Sequence, residues 1–427
     1  MEQSGVPESR GQAGEPGAAG LRASTSLLTA LTCVMFFMFA MTTDAVGEII
    51  KLARLEMTLT NTQASAFHWA TMIAIALSGL FLGALADRLG RKSAIIIGLG
   101  IYGVSSALFV TGKSFELFVS LLFISGLAIG LFKTAALALI GDIAKSTTDH
   151  TAKMNAVEGF FAIGAIAGPM LVVFFSERGI HWTGLYGLAA ALCAVMVLAA
   201  ATTRYPARAV TADTRPASLL QSLRLLGNRY AVGFSLAIAL YVACEVAIFV
   251  WLPTFLAGFT GGPIASSFAA YAVMIFFILR AIGRFIGVWI LARVRWERVL
   301  ALFSACIFLC FLVSVVVGKH AAVILLPLSG LFMSVMYPTI NSKGISCCPK
   351  AEHGAAAGLI LFFTALAAAL SPLAMAWLAD SYAGGDMQLG FALATVFAGL
   401  LFAMCLWNWL TQPAAAALRE ADISHYA

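Results

Sequence analysis

The stretch Gly79–Lys92 reads GLFLGALADRLGRK. Eight apolar or small residues give way to a turn that holds one acid, three bases and Gly90. An apolar run that stops in a short, net-basic turn is how a membrane-spanning helix ends on the side where lysine and arginine are retained. The pattern extends through the chain. Of 427 residues, 61% are hydrophobic and 11% charged, whereas an average soluble domain has roughly 45–50% and 25%. The sequence reads as a multi-pass membrane protein.

Outward from this turn, twelve apolar stretches are each long enough to cross a ~30 Å hydrocarbon core. They lie near 26–50, 64–86, 93–112, 116–144, 152–176, 182–203, 230–257, 265–291, 298–318, 321–346, 354–379 and 388–411. With both termini cytoplasmic, eighteen of the 26 Lys and Arg fall on the inner side, so the positive-inside rule selects that orientation. Residues 1–24, rich in Gly, Pro, Glu and Ser, are expected to form a disordered cytoplasmic tail, and 412–427 a second tail. The longest polar connection, 204–229, separates a six-helix bundle at 25–203 from another at 230–411. Two equivalent halves joined by a basic linker suit a transporter that rocks around a central site.

The net charge of +6 is spread over short loops without a continuous basic tract, so no nucleic-acid partner is expected. No nucleophile, metal or nucleotide motif stands out, and neither enzymatic activity nor a cofactor is expected. The eight cysteines lie mostly in apolar runs without metal-ligand spacing. They read as packing residues, with adjacent Cys347 and Cys348 the one pair that invites a redox test. The expected partners are a small solute, protons and the lipid bilayer, and the expected state is a monomer.

Gly83, Asp87, Arg88, Gly90, Arg91 and Lys92 spell G-x-x-x-D-R-x-G-R-K. This resembles the cytoplasmic signature of the major facilitator superfamily, in the expected loop between spans two and three. The resemblance implies an all-α membrane protein of twelve helices in two pseudo-symmetric bundles. It also implies a latch in which Asp87 pairs with the start of span eleven, near His353 and Gly354. Within LRAIGRFIG of span eight, Arg280 and Arg284 bracket Gly283 and echo the motif without its acid, which predicts a weaker latch in the second half.

GRFIGVWILARV at 283–294, GLFMSVMYPTINSKGI at 330–345, the GAAAG run at 354–358 leading to SPLAMAWLAD, and YVACEVAIFVWLPTFL at 241–256 are similar to the fucose permease branch. That branch implies inward movement of hexoses or related solutes with protons, using one acid in span one and another in span four. Asp44 stands at the first position. At the second, IGLFKTAAL carries Lys133 where a glutamate is expected. Met336–Ile340 places Pro338 in mid-span, where a proline kinks the helix beside a cavity or a neighbour.

Asp44, Glu48, Glu158 and Glu245 are the carboxylates inside the spans. Asp44 and Glu48 are four residues apart, so they are expected to share a face of span one. Two acids on one low-dielectric face do not both ionise cheaply, which suits proton coupling; otherwise Glu48 is an outer-interface residue beside Lys51 and Arg54. Glu158 is the third proton-coupling candidate, offset from Lys133 by roughly 10 Å along the hairpin of spans four and five. Three readings of Lys133 stand: a salt-bridge partner of Asp44 or Glu158, a ligand for a substrate carboxylate or phosphate, or itself the proton carrier. Glu245, Trp251, Tyr241, Tyr337 and Asn341 form a candidate sugar-contact group, since rings stack on sugars and amides and carboxylates bind hydroxyls; for any single aromatic the competing reading is packing. Gly164, Gly168 and Pro169 resemble part of a drug/proton antiporter signature. The resulting expectation is proton-coupled import of a monosaccharide or derivative. The alternatives are uptake of an acidic sugar or other organic anion through Lys133, and drug or metabolite export.

Overall fold

In lipid every backbone N–H and C=O must be satisfied within its own segment, so apolar stretches of this length fold as helices. The computed structural model describes residues 16–81, 89–145, 147–205, 224–349 and 352–418. Among the described residues eleven helices are long and apolar enough to cross a membrane, and no strand occurs. The second predicted span is described as a helix up to Phe81, and residues 82–88 lie outside the described set.

In chain order the helices are α1 Pro16–Thr43 and α2 Val46–Glu56 (span one), α3 Asn61–Ala64 and α4 Ala66–Phe81 (two), α5 Arg91–Thr111, α6 Phe115–Ile143, α7 Thr147–Glu177 and α8 Gly184–Thr202 (three to six). The second half has α9 Arg229–Phe255 (seven), α10 Pro263–Ala270 and α11 Ala272–Leu291 (eight), and α12 Trp296–Val317 (nine). It ends with α13 Lys319–Met333 and α14 Met336–Ser346 (ten), α15 His353–Tyr382 (eleven) and α16 Met387–Thr411 (twelve).

The two halves repeat one packing scheme. Span one packs on five, two on four, and three on four and six; seven packs on eleven, eight on ten, and nine on ten and twelve. Across the halves, α2 meets α9, α4 meets α15, and α7 meets α11. Small residues allow the tightest approaches: a Cβ on Gly164 or Gly168 of α7 would lie 2.2 or 2.1 Å from the carbonyl oxygens of Phe37 and Met41 on α1. The GxxxGP segment therefore has a packing role.

Two breaks matter for the site. Span one is interrupted at Asp44 and Ala45, where the Thr42 and Thr43 hydroxyls donate back to the carbonyls of Met38 and Phe39, a bond pattern that bends helices. The expected continuous face shared by Asp44 and Glu48 is thus absent. Span ten breaks at Ser334 and Val335. Pro338 lacks the N–H that would bond the Ser334 carbonyl one turn back, so the predicted kink is realised just before the proline.

Among the described residues, the hydrogen bonds joining the halves lie between mid-membrane and the end away from the termini, here called the distal end. The Asp380 carboxylate on α15 accepts from Asn61 N (3.2 Å) and Nδ2 (2.8 Å) and from Thr62 N and Oγ1 (both 2.7 Å). Asn61 Nδ2 also donates to Gly385 O at 3.0 Å, and Tyr271 donates to Glu177. Deeper in, His68 Nε2 bonds the Ala368 carbonyl at 3.0 Å. The distal end is closed.

Candidate functional site

The breaks and the facing helices gather charges between the halves at mid-membrane. Asp44 sits at the interruption of span one, half-buried, within electrostatic reach of Arg280, Glu245 and Lys133. Lys133 on α6 is half-buried and lies in reach of Glu158 and Asp44. Glu158 on α7 is exposed to the space between the halves, and both Arg280 and Arg284 of α11 feel its charge. Glu245 of α9 forms an ion pair with Arg280. Tyr241, fully buried below them, donates to the Met333 carbonyl at 3.1 Å, and its ring is 6.2 Å from that of Tyr337. Asn341 follows Tyr337 by one turn of α14, so the two share a helix face.

Lys133 makes no ion pair with any described residue. Its Nζ lies 4.6 Å from the ring centroid of Phe39 and 5.8 Å from that of Phe36, both on α1. The faces of these rings attract a cation without neutralising it.

The structure therefore brings Asp44, Glu158, Lys133, Glu245 and Tyr337 into one group, with Asn341 beside it. Two expected members lie elsewhere. Glu48 is buried on α2 and bonded to Lys51 one turn on, toward the distal end and away from Asp44. Trp251 has no exposed surface, and its Nε1 donates to the Pro372 carbonyl at 3.0 Å. It joins spans seven and eleven instead of meeting a solute.

Arg280 and Arg284 also correct an expectation. They lie eleven and seven residues before the end of α11 at Leu291, roughly 16 and 10 Å along the axis. That is the depth of the central group, too deep for a loop latch. The loop that corresponds to DRLGRK holds Arg295 instead, bonded to Glu297 and to Gln412 just past the last span. In the first half Gly83, Asp87 and Arg88 lie outside the described residues, as does the Asp87 pairing. Gly90 takes φ +82° and starts α5, the tight turn predicted for it. Arg91 pairs with Asp142 at 3.0 Å, and Lys92 donates to the Ala201 and Thr203 carbonyls. Arg280 as a central charge was missed because it was matched to a motif; its depth within an apolar run was the available signal. Asp380, at the end of SPLAMAWLAD, gave no sign of its partners 319 residues away.

Comparison with known proteins places this arrangement. The chain is 27% identical over 369 residues to the L-fucose-proton symporter of Escherichia coli (strain K12), covering 77% of this chain and 81% of the relative. It is 24% identical over 376 residues to the glucose/galactose transporter of Brucella abortus biovar 1 (strain 9-941), covering 83% and 88%. The crystal structure of the nucleoside transporter NupG superposes with a TM-score of 0.72 at 19% identity, over 91% of this chain and 99% of that one. The family profile of the Major Facilitator Superfamily matches residues 25–372. With this match spanning most of a helical chain whose halves repeat one packing scheme, the protein belongs to the major facilitator superfamily and is a transporter, not an enzyme.

Proposed function

We propose that this transporter imports a small hydrophilic solute, a monosaccharide or sugar derivative, together with protons. The observation that carries the proposal is Asp44, a carboxylate at a helix break, set in a charged group between two halves that are closed at the distal end. Discontinuous spans present polar groups at the midplane, where coupling ions and substrates bind. The relatives named for fucose and for glucose and galactose support the sugar class.

The chain lies in the cytoplasmic membrane as a monomer, with both termini inside. In that orientation the closed distal end faces outward. A proton on Asp44 removes a negative charge from the surroundings of Arg280 and Lys133 and changes which of them Glu158 balances. Such a difference between states is what couples ion binding to rocking. In this reading Tyr337 and Asn341, one turn apart on α14, meet the sugar hydroxyls. Gly164 and Gly168 favour neither import nor export, since they pack span five on span one.

Proteoliposomes with a trapped pH dye test the reading. Inward sugar gradients should acidify the lumen, and Asp44→Asn should abolish accumulation against a gradient while sparing counterflow exchange. Accumulation retained by Asp44→Asn would remove Asp44 from the coupling role.

A further inference from the structure

We propose that Lys133 binds a carboxylate on the transported solute, so that the cargo is a polyhydroxylated monocarboxylate of the uronic or aldonic acid type. This rests on the proton-coupled sugar importer proposed above and names its substrate class.

Of the three central cations, Arg280 has its counter-ion in Glu245, Arg284 on the same helix feels both Arg280 and Glu158, and Lys133 stands on the other half. Lys133 has neither an ion pair nor a hydrogen bond with any described residue, only the rings of Phe36 and Phe39 beside it. An ammonium held at mid-membrane calls for an anion or for water. Lys133 is half-buried, whereas Arg280 Nε is fully buried without a partner. Its charge lies within electrostatic range of Glu158, which is exposed, and of Asp44.

Charge balance selects the anion. Asp44, Glu158 and Glu245 oppose Lys133, Arg280 and Arg284, so the ionised group is neutral. Protonating Asp44 leaves one positive charge in a low-dielectric space, which a bound monoanion cancels and a dianion such as a phosphate ester overshoots. Proton and monocarboxylate thus load together, and the loaded site carries no more net charge than the empty one. A compact ammonium suits a single carboxylate, while Tyr337 and Asn341 meet the hydroxyls.

The experiment compares D-galacturonate and D-gluconate with D-galactose and L-fucose in proteoliposomes with a trapped pH dye, with and without an imposed membrane potential. The acids are expected to drive proton entry whose rate is insensitive to the potential. Lys133→Gln should raise KM for the acids at least tenfold, and Lys133→Arg should retain most of their uptake. A thermal-shift measurement on the unmodified protein guards against a misfolded variant: galacturonate should stabilise it and galacturonate methyl ester should not. Proton entry with the neutral sugars alone, or equal stabilisation by acid and ester, would overturn the role of Lys133 while leaving proton-coupled sugar import intact. Proton entry with none of the four would instead reject the sugar reading itself.

Discussion

Trp251 and Tyr337 carry similar chemistry in neighbouring spans, and their surroundings give them different work. The Trp251 indole is sealed and bonded to Pro372, so Trp251→Phe should leave KM unchanged and lower stability by about 1–2 kcal/mol for the lost buried hydrogen bond. Thermal unfolding in detergent and a transport KM on the same preparation check both parts; a KM shift without a stability loss would return Trp251 to the solute site. The vicinal cysteines also resolve at this scale. Cys347 and Cys348 follow the end of α14, are free and are buried. Burial pushes the Cys347 thiol up to about 12, and Cys348 is raised for the same reason. With the pKa raised, both stay protonated through neutral pH, and thiolate is the reactive form. Alkylation by iodoacetamide at pH 7 should therefore be slow in the folded protein and fast after denaturation, as mass spectrometry of the 344–352 peptide would show.

At the scale of elements, two glycines with nearly identical crowding predict opposite outcomes. A Cβ on Gly168 would lie 2.1 Å from Met41 O, within one half; a Cβ on Gly47 would lie 2.0 Å from Phe249 O, across the halves. Backbone cannot rotate away, so Gly168→Val should cost roughly 2–4 kcal/mol or prevent assembly of spans one and five. Gly47→Val has an escape, because separating the distal ends relieves the clash. It should fold with near-normal stability and populate a distal-open state, read as faster labelling of a cysteine introduced at Thr62. The helices themselves were legible because hydropathy alone fixes a spanning segment in lipid. Of their breaks, the one before Pro338 was legible from the proline, while the interruption at Asp44 was not, since it depends on where two threonine hydroxyls turn. Asp44, Lys133, Glu158 and Glu245 stood out as charges in apolar runs. Glu48 and Trp251 stayed between two readings because sequence gives a residue's identity without its depth or its partner.

For the whole molecule, alternating access requires that the distal closure be strong enough to hold and weak enough to break. Asp380 concentrates that closure: one carboxylate accepts four hydrogen bonds from Asn61 and Thr62 of the other half. Bonds to an ionised acceptor are stronger than neutral ones. Asp380→Asn keeps the shape, removes the charge, and turns one acceptor oxygen into a donor that faces the donors already there. The closed state should lose about 1.5–3 kcal/mol relative to the open one, a shift of roughly ten- to a hundredfold in the equilibrium. Spin labels at Leu55 and Tyr382, exposed near the distal ends of the two halves, would report it by pulsed dipolar spectroscopy. The unmodified protein should give mainly the shorter distance of the closed end, and Asp380→Asn a dominant longer one. A matching change in Asn61→Ala, with no further shift in the double variant, would assign the effect to this contact. Unchanged distances would mean that the packing of α2 on α9 and α4 on α15 holds the gate by itself, with Asp380 only following it.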